Sequence, residues 1–363
     1  MKLSFVNNKI KNLDVIQTNK TSCGIFGYIG PNSVLQNITF EKCTLTANYQ
    51  LARVNAVVAV QNAGIIRGCQ FNGMTLTMAT GGDSWQDNND SFSFAGHHVY
   101  LGNSAVVGDN RGTIENCSLN NINISVTKRW YVGAVAGQNS GTIGGTQTVT
   151  VNNVNITAAT GSVSMYFGGI TGKNHASGSI SNSTVTLSGT GPKFTRGSLV
   201  GGIAGMSAGV INNCAIVGTV TNIGNISDIN CDFIGGNAIA DANAVFGGIV
   251  GRNTGTVSYS TVSNVGMLFT ATLNAVYGGI AGQNTGRVQN SWASGKQDHN
   301  NVSGTRIGYS VGGIVGFAEE GTLVEGSYAL VALSDKATAA GAVIGGSRAK
   351  LSMLSSTNPN RWP

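Results

Sequence analysis

Residues 81–98, "GGDSWQDNNDSFSFAGHH", carry the densest set of chemistry-bearing side chains in the chain. Asp83, Asp87 and Asp90 could gather around a cation, with His97 and His98 following, and the indole of Trp85 could stack on a sugar ring. The spacing follows neither an EF-hand loop nor a zinc-ligand pattern. The three aspartates are candidate metal ligands, Trp85, His97, His98 and Tyr100 candidate ligand contacts, and a polar loop without chemistry is the plain alternative.

A second acidic stretch, "TNIGNISDINCDFIGGNAIADAN", brings Asp228, Asp232 and Asp241. Glycoside hydrolysis needs two carboxyl groups about 5–10 Å apart, so the distance between the two stretches decides whether they share a dyad. Asp109 and Glu115 are expected to be solvated, and His175 and His299 to lie singly on turns. The glycine-rich "FGGITGKN" around Lys173 lacks the glycine, the Ser or Thr and the following helix of a phosphate loop. No catalytic residue and no cofactor is assigned.

The elements that would position these residues are repeats. "YGGIAGQNTGRVQNS" from Tyr277 recurs as "FGGIVGRNTGTVSYS" from Phe246, "VGGIAGMSAGVINNC" from Val200 and "VGAVAGQNSGTI" from Val132. Weaker copies begin near Ala56, Ser104 and Ala340. Recurrence every thirty to fifty residues or so marks a stacked repeat architecture. Within each unit bulky and β-branched residues alternate with polar ones, as in Ile114, Cys117, Leu119, Ile122 and Ile124, which predicts short half-buried strands. A helical period is absent.

The predicted fold is all-β: a parallel β-helix, or β-solenoid, of about ten coils. One solenoid spans 1–363, with a partial first coil over 1–22, long insertions near 81–98 and 222–244, and a tail at 351–363. Length varies after the second strand of each unit, so the insertions, including 296–309, should emerge on one edge. The acidic stretches would then lie four coils apart, about 19 Å at ~4.8 Å per coil, too far for a shared dyad. Asn62, Asn110, Asn139, Asn174, Asn253 and Asn284 should stack at one corner as an amide ladder. Asn284 and Gly286 are expected there for their tolerance of positive φ.

Charged residues make up only 10% of the chain, against roughly 25% in ordinary domains, so neutral Asn, Ser and Thr must cover the surface. The net charge of +6 is dispersed; Lys128-Arg129-Trp130-Tyr131 is its only cluster of note, which argues against nucleic-acid binding. No apolar run reaches the ~18 residues of a membrane span, so this segment should not insert into a membrane. "MKLSFVNNKI" lacks the apolar region of a signal peptide.

"GGIVGRNTGTVSYS" and its copies resemble the GLUG repeat, over about residues 23–350. Such repeats occur in secreted and cell-surface proteins, chiefly bacterial, including adhesin-like proteins and IgA1-cleaving zinc metalloproteases. The resemblance implies an extracellular or cell-surface solenoid and carries over no catalytic site.

Cys69, Cys117 and Cys214 fall at one inward place that Ser183, Ser260 and Ser291 fill elsewhere, so the cysteines are expected to be core thiols, with only Cys69 and Cys117 close enough to bridge. Sequons such as Asn37, Asn116 and Asn155 are expected by chance in so Asn-rich a chain. Threonine ranks of an ice-binding face are not evident, since "TVTVNNVNIT" is not repeated in adjacent coils. The function expected is a non-enzymatic spacer or binding module for a glycan or host protein, contacted through the insertions and through Trp85, His97, His98, Tyr100, Trp292 and Tyr309. Self-association through open solenoid ends is the alternative, and a carbohydrate-active enzyme the third.

Overall fold

A computed structural model describes residues 8–17, 22–47, 54–78, 91–94, 97–126, 131–158, 165–188, 194–195, 197–218, 244–269, 275–299, 310–333 and 339–347. The chain is all-β among these residues, a parallel β-solenoid whose coils each pass through four faces. In one coil the first face is Tyr131–Gly133, the second Ala136–Asn139, the third Thr142–Ile143 and the fourth Val149–Ala158. The second-face sheet has ten strands, the first and third nine each, and the fourth, split in places into two strands per coil, fourteen. Ten strands at ~4.8 Å make a rod roughly 45 Å long.

Period-two alternation explains the core. The fourth-face strand Cys117–Val126 buries Cys117, Leu119, Ile122, Ile124 and Val126 and turns Ser118, Asn120, Asn123 and Ser125 outward. In-register pairing stacks like on like: Phe40 lies against Phe71 with ring centroids 5.3 Å apart.

The glycines of the repeat make room for backbone. A Cβ on Gly278 would lie 1.8 Å from the Ala281 carbonyl, one on Gly279 2.0 Å from that of Gly313 in the next coil, and one on Gly282 2.5 Å from that of Phe246 in the preceding coil. The first and second faces fold back on each other so closely that outward-facing Leu199, Val245 and Val276 form a second small cluster with Met206 and Phe317, outside the main core.

Two kinds of corner turn the chain. The predicted asparagine ladder occupies the corner after the second face: all six asparagines are buried, and Asn62 donates to Asn110 at 2.8 Å, Asn110 to Asn139 at 2.7 Å, Asn139 to Asn174 at 2.8 Å and Asn253 to Asn284 at 2.7 Å. The expected reason was wrong, because none of these residues, nor Gly286, has positive φ. Left-handed backbone lies instead at the corner between third and fourth faces, at Asn37, Asn116, Asn182, Asn213 and Asn290, with Gly68, Gly326 and Tyr259 in equivalent places, and at a bend within the fourth face, at Asn12, Lys42, Gly73, Asn121, Asn153 and Asn264. Asparagine serves the first corner as a cross-linking amide and the second as a residue tolerant of αL.

Every long interruption, including those at 79–90, 219–243 and 300–309, falls between a fourth-face strand and the next first-face strand, which is the single edge expected.

Candidate functional site

Of the residues singled out by sequence, Asp83, Asp87, Asp90, Trp85 and Tyr309 lie outside the described residues. His97 and His98 belong to the strand His97–Tyr100, which pairs antiparallel with Ser91–Phe94 as a hairpin on the rod. Among the described residues no three of His, Cys, Asp and Glu cluster to hold a metal.

Tyr100 roots this hairpin. Its ring stacks on His175 with centroids 4.1 Å apart, the Arg111 guanidinium sits 4.9 Å from the same ring, and its backbone N–H donates to Asp109 Oδ2 at 3.0 Å. Val99 beside it packs with Val54 and Val60. His175, expected to stand alone, also meets Gln138 Oε1 at 2.6 Å. His299 ends the strand Trp292–His299 and is not on a turn.

Asp109, expected to be solvated, is fully buried. Gln61 Nε2 at 2.8 Å, the Tyr100 N–H at 3.0 Å and Arg111 Nε at 3.0 Å all donate to its Oδ2, while Oδ1 has no hydrogen-bond partner among the described residues. Burial pushes its carboxyl above the usual carboxylate range, against those donors and the Arg111 charge. The sequence misled because Asp109, 48 residues from Gln61 in the same rank, is closed over by the Val99–Tyr100 end of the hairpin, at a position that alternation alone reads as outward.

Cys23, Cys43, Cys69, Cys117 and Cys214 are free. Cys214 stacks between Ser183 and Ser260, and full burial pushes its thiol up to about 12. Cys69 and Cys117 are neighbours in adjacent coils; the Cys69 contact and then burial hold the Cys117 thiol well above its ordinary value.

Trp292 stands elsewhere, on the outer side of the fourth face rather than on an insertion. Register places it directly against Tyr328, and the two rings are within 7° of parallel with centroids 6.1 Å apart. Tyr328 is 45% exposed, and Leu330, two residues along, is 73% exposed. One coil before Trp292, Tyr259 is 60% exposed at φ 49°, in the corner that neighbouring coils fill with Asn213 and Asn290. Two consecutive coils therefore present a stacked aromatic pair on the sheet, and in the coil before them Tyr259 stands at the adjoining corner, in register with Asn290, while Thr261 holds the place of Trp292. Tyr259, Tyr328 and Leu330 were missed because they interrupt no repeat; the signal was an aromatic or large apolar residue at positions that alternation makes outward.

No protein-family model, no curated protein and no solved structure matches the chain.

Proposed function

We propose that this chain is a non-enzymatic, adhesin-like binding module of a secreted or cell-surface protein, and that it engages a glycan through the aromatic pair Trp292 and Tyr328, with Tyr259 at the neighbouring corner. The observation that carries this reading is the near-parallel, solvent-facing pair Trp292 and Tyr328 on the fourth face. Aromatic faces and edges offer large apolar area with little conformational freedom to lose, which suits the CH-rich faces of sugars. Tyr259 supports the assignment: a bulky residue held in αL costs stability, and such strain gathers where it serves binding. The resemblance to GLUG repeats accords with a surface location.

The test is a glycan array probed with the whole chain, followed by titration of Trp fluorescence with any hit. Binding that Trp292→Ala and Tyr328→Ala each abolish, with the circular dichroism unchanged, supports the site; binding that survives both removes it.

End-to-end assembly is the second reading. It rests on the outermost described coils, whose inward-facing Val15 and Val331 are only partly buried. Filaments in electron micrographs, in place of discrete rods, would favour it.

A further inference from the structure

Ranks containing threonine escape notice in the sequence because insertions of unequal length separate the coils, and strand register restores them. Thr44 and Thr46 lie beside Thr75 and Thr77, these beside Asn123 and Ser125, and these beside Asn155 and Thr157. Between the two ranks Leu45, Leu76, Ile124 and Ile156 point into the core, so all eight polar residues face out from one facet, the second half of the fourth face. The motifs are Thr-Leu-Thr, Thr-Leu-Thr, Asn-Ile-Ser and Asn-Ile-Thr in four successive coils. The ranks are mixed, Thr44-Thr75-Asn123-Asn155 and Thr46-Thr77-Ser125-Thr157, so neither is threonine throughout, as expected, yet both are short, polar and in register.

The facet differs from the rest of the surface in three ways that together specify its ligand. Its repeat is two-dimensional: about 4.8 Å between coils and ~6.7 Å between the two ranks. None of the eight residues is charged or aromatic. Its side chains are held in advance, since Asn155 donates to Asn123 at 2.9 Å and the flanking Asn153 to Asn121 at 2.8 Å, while the threonines are stiff at χ1. A flexible solute would have no use for a lattice. A glycan would want the aromatic side chains that this facet lacks and the pair Trp292 and Tyr328 provides.

We propose that this facet binds the surface of ice. Ice is a ligand whose hydrogen-bonding oxygens recur in two dimensions at comparable spacings. Threonine suits it doubly, because the hydroxyl bonds to lattice water while the methyl group sits in the gap between waters. Preorganisation removes the ordering cost that would otherwise defeat a contact built from weak hydrogen bonds. The facet is separate from the pair Trp292 and Tyr328, so the proposal stands whether or not a glycan binds there.

The test uses the whole purified chain at micromolar concentration, with ice recrystallisation and the gap between melting and growth temperatures of single ice crystals as readouts. The expected result is inhibited recrystallisation and faceted crystals with a measurable gap. Thr77→Lys, at an exposed position, should abolish both without altering circular dichroism or the melting temperature. Thr184→Lys, outward in the first half of the fourth face, should leave both intact. Ice growth indistinguishable from that in an inert protein overturns the proposal, as does activity that survives Thr77→Lys. Retention on a microcrystalline polysaccharide without any effect on ice also overturns it and would assign the facet to that solid.

Discussion

Asn139 donates through Nδ2 to Asn174 Oδ1 at 2.8 Å and accepts through its own Oδ1 from Asn110 at 2.7 Å, inside a corner closed to solvent. Each amide in the rank therefore satisfies the next coil, and removing one strands two partners. Asn139→Ala should destabilise the rod by about 2–3 kcal/mol, since the buried Asn110 donor and Asn174 acceptor each lose a bond they cannot replace from water. Thermal melting monitored by circular dichroism checks this; a loss below about 0.5 kcal/mol, the range of a surface substitution, would contradict it.

Tyr259 lies at the left-handed corner where Asn213 and Asn290 lie in adjacent coils. Tyr259→Asn should raise stability by roughly 1 kcal/mol, because Asn enters αL more readily than a bulky side chain. The same variant should bind any glycan found on the array more weakly than the wild type. Stability gained together with binding lost would mark Tyr259 as a residue kept for contact; unchanged affinity would leave it a backbone oddity.

Asp109 makes folding depend on pH in the direction set by its burial, which outweighs the ion pair with Arg111. Burial raises its carboxyl above the ordinary aspartate value, so the folded state holds the proton more tightly than the unfolded state. The stability it contributes is full below that value and is lost as pH climbs through the folded pKa. Asp109→Asn, which mimics the protonated group, should match the wild type in acid and become the more stable of the two as pH rises towards neutrality. Parallel melting curves from pH 3 upward, in steps of about one unit, test the sign; a difference that shrinks with rising pH would refute it.

Cys214, with its thiol pushed up to about 12 and fully buried, should resist alkylation in the native protein at pH 8, and Cys43, Cys69 and Cys117 should be shielded by burial as well. Iodoacetamide labelling read by mass spectrometry should find these four modified only after denaturation. Half-buried Cys23 should label first if any described cysteine does.

Periodic features were readable from the sequence because each is stated many times over. The coil, the ladder Asn62 to Asn284, the interchange of Cys69, Cys117 and Cys214 with Ser183 and Ser260, and the shared edge for insertions all follow from aligning one phrase. What failed was anything that depends on strand register outside the repeated phrase. The pairing of Trp292 with Tyr328 and of Thr77 with Ser125 needs strand register across insertions of unequal length. The burial of Asp109 needs the hairpin at Ser91–Tyr100 to fold over its own coil. The positive-φ positions went astray because Asn is favoured at both corners for different reasons, and composition cannot separate them.

The amide rank also has an interruption. Asn174 donates to Ser207 Oγ at 3.1 Å, but the Ser207 hydroxyl turns back to the Gly209 carbonyl at 3.4 Å, and Asn253 in the next coil donates onward to Asn284. The rank is thereby cut into two runs, at the same coil boundary that carries residues 219–243. In a structure where each coil touches only its neighbours, such a seam divides cooperativity. All four sheets run on across this seam, and amide exchange is expected to open there before it opens within either run.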